Sequence, residues 1–211
     1  MRSVRISLLY CFTLLVWGVW GGHGVLAADF ALPPGYPERV LGSAHAPVTL
    51  YEYSSLTCPH CADFHRQTLP KLKASHIETG KVRLVLRDYP LDRLSMVGAM
   101  MARCAPEAHY YKIMELLFSS QQAMVSAENP LAFLKQTGRL AGMSETDLDA
   151  CFANESLLAS IQQVQERARE TFDVRSTPSF VIDRALYTGA LSYEALSEAL
   201  DRALVHKGVS R

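Results

Sequence analysis

The sequence carries little charge, and the charge has no bias in sign. Only 20% of its 211 residues are Asp, Glu, Lys or Arg, and acids and bases balance at 21 each. No long run of like charge stands out, so nothing in the bulk argues for nucleic acid or a membrane-surface patch. Internal repeats and low-complexity tracts are absent, which excludes solenoids and disordered linkers. Cysteine is scarce, at five residues, too few for a small scaffold held by staples. No apolar run reaches the ~20 residues of a membrane-spanning helix. What remains is a chain that is 49% hydrophobic, enough for a sizeable core. Its length suits one ordinary domain, or one domain with an insertion.

The first 28 residues read as a secretory signal rather than as part of the fold. Arg2 and Arg5 give a positive start, Ile6 to Trp20 is mostly apolar, and Val25-Leu26-Ala27-Ala28 is a small-residue exit. The apolar run of about 15 residues is followed by Gly21, Gly22 and Gly24, which makes an anchor the weaker reading. Cys11 lies in this segment, outside any lipidation-like context. Export would place Cys58, Cys61, Cys104 and Cys151 in an oxidising compartment, where an even count suggests pairing.

Beyond the signal, Asp29 to Arg39 reads as an extended lead-in. Val48 to Tyr53 is a strand, and a short connection leads to Cys58-Pro59-His60-Cys61 at the start of a helix. Pro59 suits the first turn, where a missing N–H costs nothing. This helix turns Phe64, Leu69 and Leu72 inward and ends near Gly80, with a kink expected at Pro70. Val82 to Leu86 is a second strand. The next 80 or so residues are mostly helical, including a capping-box start at Ser144 and an apolar period through Leu157, Ile161, Val164 and Ala168. Ser179 to Ile182 and Ala185 to Tyr187 are strands again, and a last helix runs from Ser192 to Leu204.

Two cysteines separated by two residues at a helix start can close a small disulfide and reopen it. The thiolate is the reactive species, and the unpaired N–H groups and partial positive charge of the helix end favour it at Cys58. His60 can add positive charge or a hydrogen bond. Each pKa unit of thiolate stabilisation is worth ~1.4 kcal/mol, or ~30 mV in a two-electron couple. A stabilised reduced form makes the disulfide a stronger oxidant. A structural zinc site would need four ligands. Even with His65 on the same helix the local set stops at three, and Cys104 and Cys151 lie 47 positions apart. In a central strand Glu52 would be buried beneath the disulfide and able to relay a proton to Cys61; a solvated Glu52 fits the spacing equally well. Thr177-Pro178 is, by itself, only a proline before a strand.

Taken together these residues resemble the DsbA family of thioredoxin-fold dithiol oxidases. The likeness rests on Tyr51-Glu52-Tyr53, Cys58-Pro59-His60-Cys61, the run from Val85 to Leu91, and the run from Val174 to Phe180. It covers essentially the whole chain after the signal and implies an α/β thioredoxin fold with an inserted helical domain. The divisions would be 1–28 for the signal, 29–91 for the first thioredoxin part, 92–165 for the insertion and 166–211 for the second part. The family roles would make Cys58 the nucleophile, Cys61 its buried partner, His60 a stabiliser of the thiolate and Glu52 the buried acid. Pro178 would match the cis loop proline that sets Thr177 against the disulfide, where a peptide substrate adds as a strand. Cys104 and Cys151 match an extra structural disulfide found in some members, closing a loop of about 48 residues for ~4 kcal/mol in the chain-entropy model; two separate buried thiols are the alternative.

The likeness further implies a periplasmic, cofactor-free monomer without a metal, acting on exported proteins with free thiols. A quinone-linked membrane partner would reoxidise it. Thr177 departs from the Val of the best-known strong oxidases, which leaves an isomerase or reductase open; a metal-carrying protein using Cys58 and Cys61 is the non-enzyme alternative. Met96, Met100 and Met101 read as core. His45, His76 and His109 read as solvated, and Glu166, Arg167, Arg169 and Glu170 as an ordinary charged helix face.

Overall fold

The computed structural model describes residues 32–209; the segment read as a signal, 1–28, lies outside them. One mixed sheet is built from β1 (Val40–Leu41), β2 (Val48–Ser54), β3 (Val82–Asp88), β4 (Ser179–Ile182) and β5 (Ala185–Thr188). Their order is β1-β3-β2-β4-β5. β2 and β3 are parallel, and β4 lies antiparallel on the other side of β2. β2 is therefore the central strand. Its alternate residues Val48, Leu50, Glu52 and Ser54 share one face and are all buried.

Helix α1 (Pro59–Asp63) leaves β2 through a four-residue connection. The chain then stays helical through a π-type stretch at 64–68, α2 (Leu69–Leu72) and a second π-type stretch at 73–77. The kink expected at Pro70 is thus spread over widened turns, which take up the register slip caused by a proline without an N–H. Phe64, Leu69 and Leu72 pack with Val48, Leu50, Val82 and Leu84 of the sheet.

The insertion comprises α3 (Arg93–Cys104), a 3-10 turn (Glu107–His109), α4 (Tyr110–Ser119), α5 (Gln121–Val125), α6 (Pro130–Leu140), α7 (Glu145–Phe152) and α8 (Glu155–Phe172). Ser144 and Asp147 cap α7 reciprocally, and Asn154 caps α8. The division expected between 165 and 166 falls inside α8, which is one continuous helix of 18 residues. Its apolar stripe is unbroken across that point. Helix α9 (Tyr193–His206) closes the chain and packs Leu196 and Leu200 beside α2 and the sheet. His76, expected to be solvated, is buried, with Nε2 3.4 Å from Asp201 Oδ1 on α9. Met100 and Met101 are core residues.

A buried polar hub joins the insertion to the sheet. Arg103 on α3 pairs with Asp88 at the end of β3, and both are almost fully buried. The same guanidinium donates to Pro37 O (2.5 Å), Leu86 O (3.0 Å) and the Tyr110 hydroxyl (3.2 Å). Tyr36 donates to Asp88 Oδ2 at 3.0 Å, and its ring lies 3.9 Å below the guanidinium. Removing one partner of such a pair leaves a buried charge unmet. R103M is expected to lose about 3–5 kcal/mol of stability, a drop in Tm on the order of 10 °C, with D88N/R103M recovering part of it. Thermal unfolding followed by circular dichroism checks this; an unchanged Tm in R103M would refute it.

Candidate active site

Cys58 is the N-cap of α1, in extended conformation, with Pro59 at the first helical position. Pro59 fixes the backbone for the turn and withholds no needed donor. The Cys58 carbonyl accepts from the N–H groups of Cys61 (3.1 Å) and Ala62 (3.2 Å), so the helix starts at the sulfur-bearing residue itself. Both thiols are free in this structure, and Cys61 is completely buried. The Cys58 thiol is pulled down to about 5, first by the hydrogen bond from Cys61, then by Thr177 and by the backbone N–H groups of Cys61 and His60, against the cost of burial. His60 thus acts here through its backbone; its side chain is exposed. Cys61 moves the opposite way. Burial raises it far above an ordinary thiol, and the Cys58 sulfur adds to the rise; the Ser54 hydroxyl and the Ser55 N–H oppose it.

The connection from β2 to α1 is clamped by the insertion. Ser95 Oγ accepts from Leu56 N–H at 2.9 Å and meets Ser55 Oγ at 2.8 Å. Thr57 donates to Asp92 Oδ2 at 2.6 Å, while Asp92 also caps α3 through Ser95 N–H. From α5, the buried Gln121 amide donates to two carbonyls of the loop, Leu56 O and Cys58 O, both at 2.8 Å. On the opposite side the peptide bond Thr177–Pro178 is cis, and Cys58 Sγ donates to Thr177 O at 3.3 Å. The Thr177 hydroxyl is buried, and it is the Thr177 side chain that helps to lower the Cys58 thiol.

Glu52 is fully buried in β2. Its two oxygens lie 2.9 and 3.1 Å from His65 Nε2, and the His65 ring stacks on Phe118 at 3.9 Å. The structure therefore gives Glu52 a partner that a fourfold spacing from Cys61 placed on the same helix; spacing marked His65 only as a third metal ligand. Gln121, Ser95 and Asp92 carry no motif and become visible only through the fold. Cys104 and Cys151 form a disulfide, with Cα atoms 6.0 Å apart, tying the end of α3 to α7.

A family model described as thioredoxin matches residues 36–202. This chain belongs to the thioredoxin family. A Rickettsia conorii relative, named as a protein-disulfide oxidoreductase, is 29% identical over 168 residues, covering 79% of this chain and 60% of that protein. The thioredoxin-family chain thus spans about 60% of the length of such curated relatives. Wolbachia pipientis α-DsbA1 has the same fold, with a TM-score of 0.75 at 24% identity over 83% of this chain and 94% of that one. Oxidised BdbD of Bacillus subtilis follows at 0.69 and 17%, over 80% and 93%. The fold is the α/β thioredoxin fold with an inserted helical block.

Two measurements probe this site. Alkylation of the reduced chain against pH is expected to titrate at Cys58 with a midpoint near 5 and to leave Cys61 unmodified at neutral pH. A midpoint near the ~8.5 of a free thiol would refute the assigned polarity. Because the folded value is the lower one, Cys58 stabilises the reduced protein above the ordinary thiol range, and that contribution disappears as pH falls through about 5. Q121L removes the donor to Leu56 O and leaves Cys58 O to the first N–H groups of α1, so it is expected to cost about 1–3 kcal/mol and to shift the Cys58 midpoint upward; a variant unchanged in both would show that the clamp is idle.

Proposed function

We propose that this chain is an exported protein dithiol oxidase of the DsbA type, working through Cys58-Pro59-His60-Cys61. The observation that supports it most is the opposite polarity of the two thiols, Cys58 drawn down to about 5 and Cys61 pushed up by burial. A substrate thiolate attacks the Cys58 sulfur of the enzyme disulfide, and Cys61 leaves and is protonated. A second substrate thiolate attacks the substrate sulfur of the mixed disulfide, and Cys58 leaves as a thiolate. Two electrons pass from the substrate dithiol to the enzyme, and the substrate gains a disulfide. A good leaving thiolate at Cys58 speeds the last step and stabilises the reduced enzyme, which makes the oxidised one a stronger oxidant.

The remaining roles fit the same reading. Thr177 beside Cys58 offers the backbone on which an extended peptide could add as a strand, and Glu52 is the buried acid for Cys61. The Cys104–Cys151 bond has a structural role. Substrates are exported polypeptides with free thiols, met in the periplasm by a monomer, and a quinone-linked membrane protein restores the disulfide. Export rests on residues 1–28.

Equilibration of Cys58 and Cys61 with a glutathione redox buffer is expected to give a potential well above the ~−270 mV of thioredoxin, towards ~−120 mV. The oxidised chain should also return activity to a reduced, unfolded disulfide protein, and C58S should not. A potential near thioredoxin's would sink the oxidase direction in favour of a reductase or isomerase. Tight Cu(I) or Zn binding without dithiol turnover would favour a metal carrier.

A further inference from the structure

Cys58 stands between two stretches of chain that are far apart in sequence. One leaves β2 at Ser54 and runs to the sulfur-bearing residue. The other leaves α8 at Asp173 and runs to Thr177, whose carbonyl oxygen lies 3.3 Å from Cys58 Sγ. One buried residue holds the roots of both. Tyr89, just past β3, is 2% exposed. Its N–H donates to Ser54 O at 2.8 Å, and its hydroxyl donates to Val174 O at 2.9 Å. Arg169 of α8 fixes the direction of that hydroxyl: Nε donates to the oxygen at 2.9 Å, and the guanidinium lies 5.4 Å from the ring centre. A phenol has a single proton to give, and here Val174 receives it.

Further along the loop other groups hold the backbone. Ser176 O accepts from Ser179 Oγ at 2.7 Å, and Pro178 O accepts from Gly189 N–H at 2.9 Å. The start of the loop is less well favoured. Asp173 ends α8 in the left-handed region, at φ 57°, which is costly for a residue with a side chain. Val174 is completely buried there, with its N–H on Ala168 O at 3.2 Å and its carbonyl on Tyr89. Tyr89 thus ties the entry of the Thr177 loop to the strand end on the other side of the sulfur.

We propose that Tyr89 is a positioning residue for polypeptide substrates, its hydroxyl setting the Thr177 loop at the spacing from Cys58 that lets an extended chain pair beside the sulfur. The inference rests on the reading above, in which the substrate adds as a strand at Thr177, and it adds the residue that keeps that margin in place. Tyr89 acts through Val174 and Ser54. A polypeptide that pairs with the loop while its thiolate lines up on Cys58 needs both stretches fixed at once, because a shift of about 1 Å can misplace the attacking sulfur. A small dithiol reaches Cys58 without backbone pairing and makes no use of the loop. Without the hydroxyl, Val174 O loses a donor in a buried place and the loop entry shifts to find another, while the ring still fills its site. The exchange itself is the same for both reductants: a dithiol closes to a disulfide as the Cys58–Cys61 bond opens, and two electrons pass to the enzyme.

Y89F and R169M in the full chain test this. Each oxidised protein is mixed with a synthetic peptide holding two cysteines, or with dithiothreitol, and loss of the enzyme disulfide is followed by timed alkylation. The readout is the ratio of the peptide rate constant to the dithiothreitol rate constant. A looser core or an altered potential moves both rates together and leaves this ratio alone. Y89F is expected to lower it about 10-fold, less than the ~100-fold that a full 1 Å misplacement can cost, while the dithiothreitol rate stays near that of wild type. R169M keeps the hydroxyl but frees its direction, and it is expected to lower the ratio by a smaller factor. A folded Y89F with the wild-type ratio would overturn the proposal. So would a Y89F slowed equally towards both reductants, since that effect lies in the enzyme's own thiols. Should Y89F fail to fold, the R169M ratio decides in the same way. A wild-type chain that leaves the peptide thiols unoxidised would bring down the functional reading itself, a result distinct from these.

Discussion

The contact between Arg103 and Asp88 sets the geometry on which the rest of the molecule depends. A buried guanidinium and carboxylate attract strongly, but each is costly to remove from water, so the pair persists only where every remaining donor is met. Here the donors reach Pro37, Leu86 and Tyr110, and Tyr36 supplies both a hydroxyl and a ring face. One side chain thereby fixes the lead-in, the end of β3 and two helices of the insertion against each other. Asp88 is also the register partner of Ser54, the last residue before the active-site connection. An error in seating α3 would reach the Cys58 loop through Asp92 and Ser95 within a few residues.

That coupling explains why the helical block is more than an appendage. Its first turn and Gln121 hold the loop from one side, while Thr177 meets the Cys58 sulfur from the other. Cys58 and Cys61 are three positions apart and differ in what surrounds them. Hydrogen bonds offered at the helix start favour one as an anion, and complete burial keeps the other neutral. The chemical asymmetry of the pair is a product of packing by the insertion as much as of the short motif.

The parts of this arrangement that the sequence displayed are those encoded locally. Pro59 at a helix start, the β-rich run into Glu52 and the capping box at Ser144 each state their structure within a few residues, and so the strand–loop–helix carrying Cys58 was legible. The fold class followed from likeness of motifs spread along the chain. What escaped depends on neighbours distant in sequence. His76 looked solvated because Asp201 lies 125 positions away; Gln121 looked like any polar residue in a helix; the two-residue strand β1 has too little pattern to register. His65 was noticed for the wrong reason, since its partner Glu52 belongs to a preceding strand. The π-type turns around Pro70 follow from a missing N–H but also from helix packing that no single position reveals.

The Gln121 clasp has a consequence for how a polypeptide could approach. Its amide occupies the carbonyls of Leu56 and Cys58, and α1 uses the latter again for its own first turn. Both of these carbonyls are therefore already engaged on that flank of the sulfur. Under the proposed function, an extended visitor would pair on the Thr177 flank rather than with these two carbonyls, so the insertion leaves the reactive sulfur an edge with one open margin.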